Sequence, residues 1–139
     1  MITIPIKTAT NTDTHQTIAA LILSFSTNPI ARWYYPDPHQ YLVHCPEFFK
    51  AFAGKAFKQQ TAYYVDGFFA AALWLSPGIQ PDEETMVSLL QRTVSNPLQE
   101  EAFGLIEQMG SYHPTEPHWY LPLIGVDQSN NMRASAQPL

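Results

Sequence analysis

The chain has 139 residues, enough for one compact domain and too few for two. Seven Lys and Arg against twelve Asp and Glu give a net charge of −5, so the basic excess of a nucleic-acid binder is missing. Apolar residues at 45% exclude overall disorder, and no apolar run nears the roughly 20 residues of a membrane span. A single cysteine, Cys45, cannot staple the fold, and no CxxC or HExxH spacing offers a metal site. Residues 1–13 lack the basic-then-apolar layout of a secretion signal. A cytoplasmic protein with neither membrane nor nucleic-acid partner is expected.

Residues 1–10 read as a strand, with Ile2, Ile4 and Ile6 alternating against Thr3, Pro5 and Lys7. Pro5 cannot donate to a ladder, which predicts an edge position. Asp13 and Gln16 read as a capping box opening a helix that buries Ile18, Leu21, Ile22 and Phe25. Asn28-Pro29 ends it. Four prolines break residues 29–60, so Trp33, Tyr34 and Tyr35 are expected on a loop, where an acceptor-binding role fits them. One or two short helices are predicted, at about 38–44 and 46–57, with Gly54 near a C-terminus, and Phe48, Phe49, Phe52 and Phe57 read as core.

Asp66-Gly67 divides two strand-like runs, 61–65 and 68–75, and predicts a two-residue type I′ hairpin. Pro77-Gly78 turns the chain away. Pro81-Asp82 opens a helix with Met86, Leu89, Leu90 and Val94 on one face. After Asn96-Pro97, Leu98, Ala102, Leu105, Ile106 and Met109 repeat at helical spacing to Gly110. Only Arg92 offsets the seven acids between residues 82 and 116, and the charge reads as solvated helical faces. Residues 119–126 form an apolar run of strand length whose continuity predicts a central strand covered on both faces. The order of elements defines an α+β fold in layers.

The five histidines are scattered, and adjacent residues such as His44 and Cys45 point different ways from a helix, so no nucleophile–base pair follows from spacing. The informative segment is His118-Trp119-Tyr120-Leu121-Pro122-Leu123-Ile124-Gly125-Val126-Asp127. It resembles the central strand of the GNAT N-acyltransferase superfamily, W-Y-L-x-x-[LI]-[GA]-V-[DH]-P. The order of elements resembles that family as well, with the hairpin 62–75 ending in Trp74-Leu75-Ser76-Pro77 as its second and third strands.

The resemblance covers residues 1–127 and implies three α/β/α layers around a mixed, mainly antiparallel sheet. It implies acyl transfer from acetyl-CoA, a co-substrate, to a small-molecule amine. Ile124 and Val126 would offer main-chain contacts to pantetheine, with Gly125 allowing close approach. A bulge in this strand would free an N–H to polarise the thioester carbonyl. In many relatives an acidic or histidine base stands where this chain has Tyr120. A tyrosine is a poor base at neutral pH, which leaves His118 or Glu116 to act through water. Simple alternation would place His118, Tyr120, Pro122 and Ile124 on one face. A non-catalytic module that binds a small molecule or protein through the same fold is the alternative reading.

Beyond Asp127 the family pattern stops. Relatives continue with Pro and Q/R-x-x-G-x-G/A, whose consecutive N–H groups hold the CoA diphosphate at a helix N-terminus. Residues 128–139 contain no glycine, and the last in the chain is Gly125. Back-translated and read one nucleotide earlier, the codons from Asp127 onward permit Pro-Ile-Gln-Gln-Tyr-Ala-Gly-Val-Gly-Ala-Ala-Leu, which contains that motif. A frameshifted, C-terminally truncated acyltransferase is therefore expected. It would lack the later strands and helices, carry 128–139 as a non-family tail and bind CoA weakly or not at all. The open edge of its last strand predicts a homodimer.

Overall fold

A computed structural model describes residues 5–94, 96–111, 116 and 118–126. Strand β1 (Ile6–Thr8) leads through a 3₁₀ turn at Asn11–Asp13 into α1 (Thr14–Ser24). The Asp13 carboxylate accepts from the Thr10 N–H (2.9 Å) and hydroxyl (3.0 Å), so the capping interaction sits one turn earlier than Asp13–Gln16. Ile18, Leu21 and Ile22 are buried as their spacing predicted.

Helix α2 (Pro29–Tyr34) stands where a loop was expected. Asn28 caps it, accepting from the N–H groups of Ile30 and Ala31 at 3.0 Å each, and Pro29 supplies a helical φ at the first position. Arg32 then clasps both flanks, donating to the carbonyls of Ser26 (3.0 Å), Tyr35 (3.2 Å) and Pro36 (2.7 Å). Helix α3 (Pro38–Ala53) is continuous through Pro46, and α4 (Lys55–Gln59) follows Gly54. Of the one or two helices expected, a single one runs through 45–46. Pro46 removes one N–H on a helix whose other face buries Tyr41, Cys45, Phe48 and Phe49, and that packing outweighs a lost hydrogen bond. The Tyr41 hydroxyl donates to the Ile22 carbonyl at 2.6 Å and ties α3 to α1.

Strands β2 (Ala62–Val65) and β3 (Ala70–Leu75) form the predicted hairpin, but residues 66–69 make up its connection. Positive φ falls at Gly67 (94°) and Phe68 (58°) rather than at Asp66 and Gly67. The Tyr64 and Phe68 rings stack at 4.2 Å, a contact that a two-residue turn would forbid. At the other end of β3, Ser76-Pro77-Gly78-Ile79 closes with Ile79 N–H donating to Ser76 at 3.0 Å and Gly78 at φ 85°. Helices α5 (Glu83–Thr93) and α6 (Asn96–Ser111) precede β4 (Tyr120–Val126). Asp82 caps α5 by accepting from the Thr85 N–H (3.2 Å) and hydroxyl (2.6 Å), which hold its carboxyl below the usual range.

The four strands lie in the order β1-β2-β3-β4, every pair antiparallel. Pro5 precedes an edge strand, as expected. Residues 1–4, to which the strand reading also extended, lie outside the described ones. Ala71, Leu73, Leu75 and Leu123 bury one face of the sheet against the helices. Opposite them Ala70, Ala72 and Trp74 are half-buried, while Ile124 and Val126 are 59% and 41% exposed. Among the described residues, then, β4 is an edge strand with one covered face rather than a central strand covered on both. The described helices that pack on the sheet form one layer over its buried face, so two of the three expected layers are seen. The architecture is α+β.

Candidate functional site

Between α2, α3, the start of α5 and β4 lies a cavity of about 630 Å³. Helix α3 contributes its wall because Phe48, Phe49 and Phe52 fall on the stripe that also buries Cys45. Tyr34 joins them from α2, its ring 5.4 Å from that of Phe48. Tyr120 closes the chamber from β4, edge-on to Phe52 at 6.3 Å.

A bulge places Tyr120 there. Leu73 pairs with Leu123 and Leu75 with Tyr120, so three steps along β4 match two along β3. Tyr120 thereby joins Leu123 and Gly125 on the helix-covered face. The expected sharing of one face by Tyr120 and Ile124 fails, since the extra residue inverts the alternation between them. No described strand pairs with the far edge of β4, so alternate N–H and C=O groups of the strand face away from β3.

His118 stands half-buried at the mouth, with its ring 6.5 Å from Tyr120. Its Nδ1 lies 2.9 Å from the Glu116 carbonyl oxygen, an acceptor, so Nδ1 carries the proton and Nε2 is the basic nitrogen. Among the described residues, Glu116 and Glu83, both exposed, are the acidic side chains lining the cavity, and no Lys or Arg lines it. Burial raises the Tyr120 phenol above its ordinary range, which makes it a hydrogen-bond donor at neutral pH and a worse base than its residue type already implies. Burial likewise pushes the Cys45 thiol up to about 12, so no thiolate nucleophile is present.

The other expected site residues divide. Tyr34 and Tyr35 line the cavity, but from α2 and its C-cap rather than from a loop. Burial pushes Tyr34 up to about 12 and raises Tyr35, whose hydroxyl is held 2.7 Å from Thr93 Oγ1. Trp33 does not line the cavity and packs against Tyr34 at 5.2 Å. The side chains of Ile124 and Val126 point to the opposite face, leaving their main chain as the group able to act. Gly125 has a structural use: a Cβ there would collide with Ser24 Oγ and reach within 2.8 Å of Ser24 Cβ. The end of α1 thus fills the side of Gly125 where a side chain would stand.

Sequence reasoning took Phe48, Phe49 and Phe52 for core. The first two are buried yet also line the chamber, and the signal was three aromatic rings on one helix stripe beside a second aromatic cluster. Residues 127–139, and with them the expected tail and the place of the diphosphate loop, lie outside the described residues. Among the described residues, no three His, Cys, Asp or Glu side chains gather in a metal-binding arrangement. Nor is any helix there long and apolar enough to cross a membrane. No protein-family model matches the chain, and no curated protein matches it.

Proposed function

We propose that the chain is a cytoplasmic acyl-CoA-dependent N-acyltransferase of the GNAT type, acting on a small-molecule amine. The observation that carries the proposal is the bulged edge of β4, bearing the W-Y-L-P-L-I-G-V sequence, alongside a cavity of about 630 Å³. An open strand edge offers alternating donors and acceptors to the amides of a pantetheine arm, and of the two bulge residues, Leu121 and Pro122, only Leu121 carries an N–H to offer as an oxyanion donor. Acetyl-CoA supplies the activated acyl group when bound. The amine nitrogen attacks the thioester carbonyl, a C–N bond forms and the C–S bond breaks. The proton lost from nitrogen passes to His118 Nε2, directly or through water, and ends on the departing sulfur. Tyr120 stays protonated and donates a hydrogen bond at the reacting centre.

Because residues 128–139 contain no glycine, grip on the diphosphate is weak and pantetheine provides most of the donor's binding. Calorimetric titration with acetyl-CoA and with S-acetylpantetheine tests this. The two are expected to bind with similar, weaker-than-micromolar affinity, and the absence of binding by both overturns the reading. A second reading, ligand binding without turnover, is favoured by the same missing glycines. It predicts that cavity ligands bind while acyl transfer is never observed.

A further inference from the structure

The chamber and its mouth differ in chemistry. Phe48, Phe49, Phe52, Tyr34 and Met86 make the interior apolar and aromatic. Every ionisable carboxyl lining the cavity, Glu83 and Glu116, is exposed, and His118 stands with them. Arg32, the nearest cation in sequence to the α2 wall, is committed to the carbonyls of Ser26, Tyr35 and Pro36 and to the Tyr41 ring face at 5.3 Å. A flexible polyamine or an amino sugar would have to desolvate several charges or hydroxyls against these rings, with little beyond the Tyr34 and Tyr120 hydroxyls to bond them in return. A ring-bearing hydrocarbon body suits that wall, and its ammonium, left at the mouth, meets exposed carboxylate and no Lys or Arg among the described lining residues.

We infer that this cavity selects a primary amine on an apolar aromatic body, an arylalkylamine, with the ring inside and the nitrogen at the Glu116–His118 mouth. The orientation is set by the separation of apolar and acidic surfaces, and it delivers the nitrogen to the end of the cavity where β4 is bulged. This assignment rests on the acyltransferase reading for the amine's role as acceptor. The cavity's preference for such an amine is measurable with no acyl donor present.

The test is calorimetric titration of the full chain with 2-phenylethylamine, ethylamine, 2-phenylethanol and spermidine, without acetyl-CoA. Removing the ring is expected to weaken binding about tenfold or more, and replacing the ammonium by hydroxyl several-fold. Glu116→Gln, a change at an exposed site, should abolish the preference for the amine over the alcohol while leaving the alcohol's affinity unchanged. Phe52→Ala, with helicity checked by circular dichroism, should weaken both ring ligands equally. Spermidine binding more tightly than 2-phenylethylamine, or no saturable binding of any ring compound, overturns the inference. Tight binding of 2-phenylethylamine with no acyl transfer from acetyl-CoA upholds it while removing the acyltransferase reading.

Discussion

Gly125 lies beneath the last turn of α1, where Ser24 Oγ and Cβ occupy the space a side chain would take. Gly125→Ala is therefore expected to cost about 1–3 kcal/mol, read as a lower urea midpoint at unchanged slope. The Tyr34 hydroxyl is buried and has no hydrogen-bond partner among the described residues. Tyr34→Phe removes an unsatisfied group, so stability should hold or rise by about 1 kcal/mol, and a clear loss in melting temperature would reveal a partner for the oxygen. Titration adds a whole-curve test. Tyr34 and Cys45 move from 10.0 and 9.0 to about 12 on folding, and Tyr35, Tyr41 and Tyr120 are raised too, burial leading in every case. The unfolded chain loses these protons first, so the stability they contribute is whole below about pH 9 and falls as pH rises toward 12. Denaturant midpoints should hold to about pH 9 and decline from there to about pH 11.

Helix α2 shows how an element escapes a reading based on prolines. Pro29 starts it and Pro36 follows it, so the same residues that read as loop punctuation bracket six helical residues, Pro29–Tyr34. Asn28→Ala is expected to destabilise by about 1 kcal/mol, with Asn28→Asp restoring most of it, since the cap's oxygen is what the Ile30 and Ala31 N–H groups use. Periodic segments were legible: α5 buries every residue its spacing marked, α1 buries Ile18, Leu21 and Ile22, α6 buries Ala102 and Ile106 with Leu98 and Leu105 half-buried, and the 62–75 hairpin forms. Three features were not. The bulge in β4, raised by the family resemblance alone, depends on how Leu121 and Pro122 meet Trp74 across the ladder, which no local pattern encodes. The hairpin's longer connection depends on the Tyr64–Phe68 stack. Joining Tyr34 to Phe48 and Phe52 needs the α2–α3 packing angle, a tertiary property. His118 and Tyr120, singled out because one precedes the strand motif and the other lies within it, both line the cavity.

For the whole molecule, the proposed site lies where the α2–α3 aromatic wall meets the open edge of β4. That edge, with Trp119, Ile124 and Val126 each at least 41% exposed, also favours association. Light scattering should report a homodimer at micromolar concentration, and a monomer at all concentrations tested would count against it. His118→Gln should slow acyl transfer about 10²-fold while leaving 2-phenylethylamine binding within a factor of two, because the imidazole moves a proton and the rings hold the ligand. That β4 and this cavity together carry acyl transfer is tested by release of CoA thiol from acetyl-CoA, followed with a thiol reagent with and without 2-phenylethylamine. Slow release is expected that requires both protein and amine, saturates with amine and falls in His118→Gln. Thiol release equal to the protein-free rate at millimolar acetyl-CoA and saturating amine would contradict it.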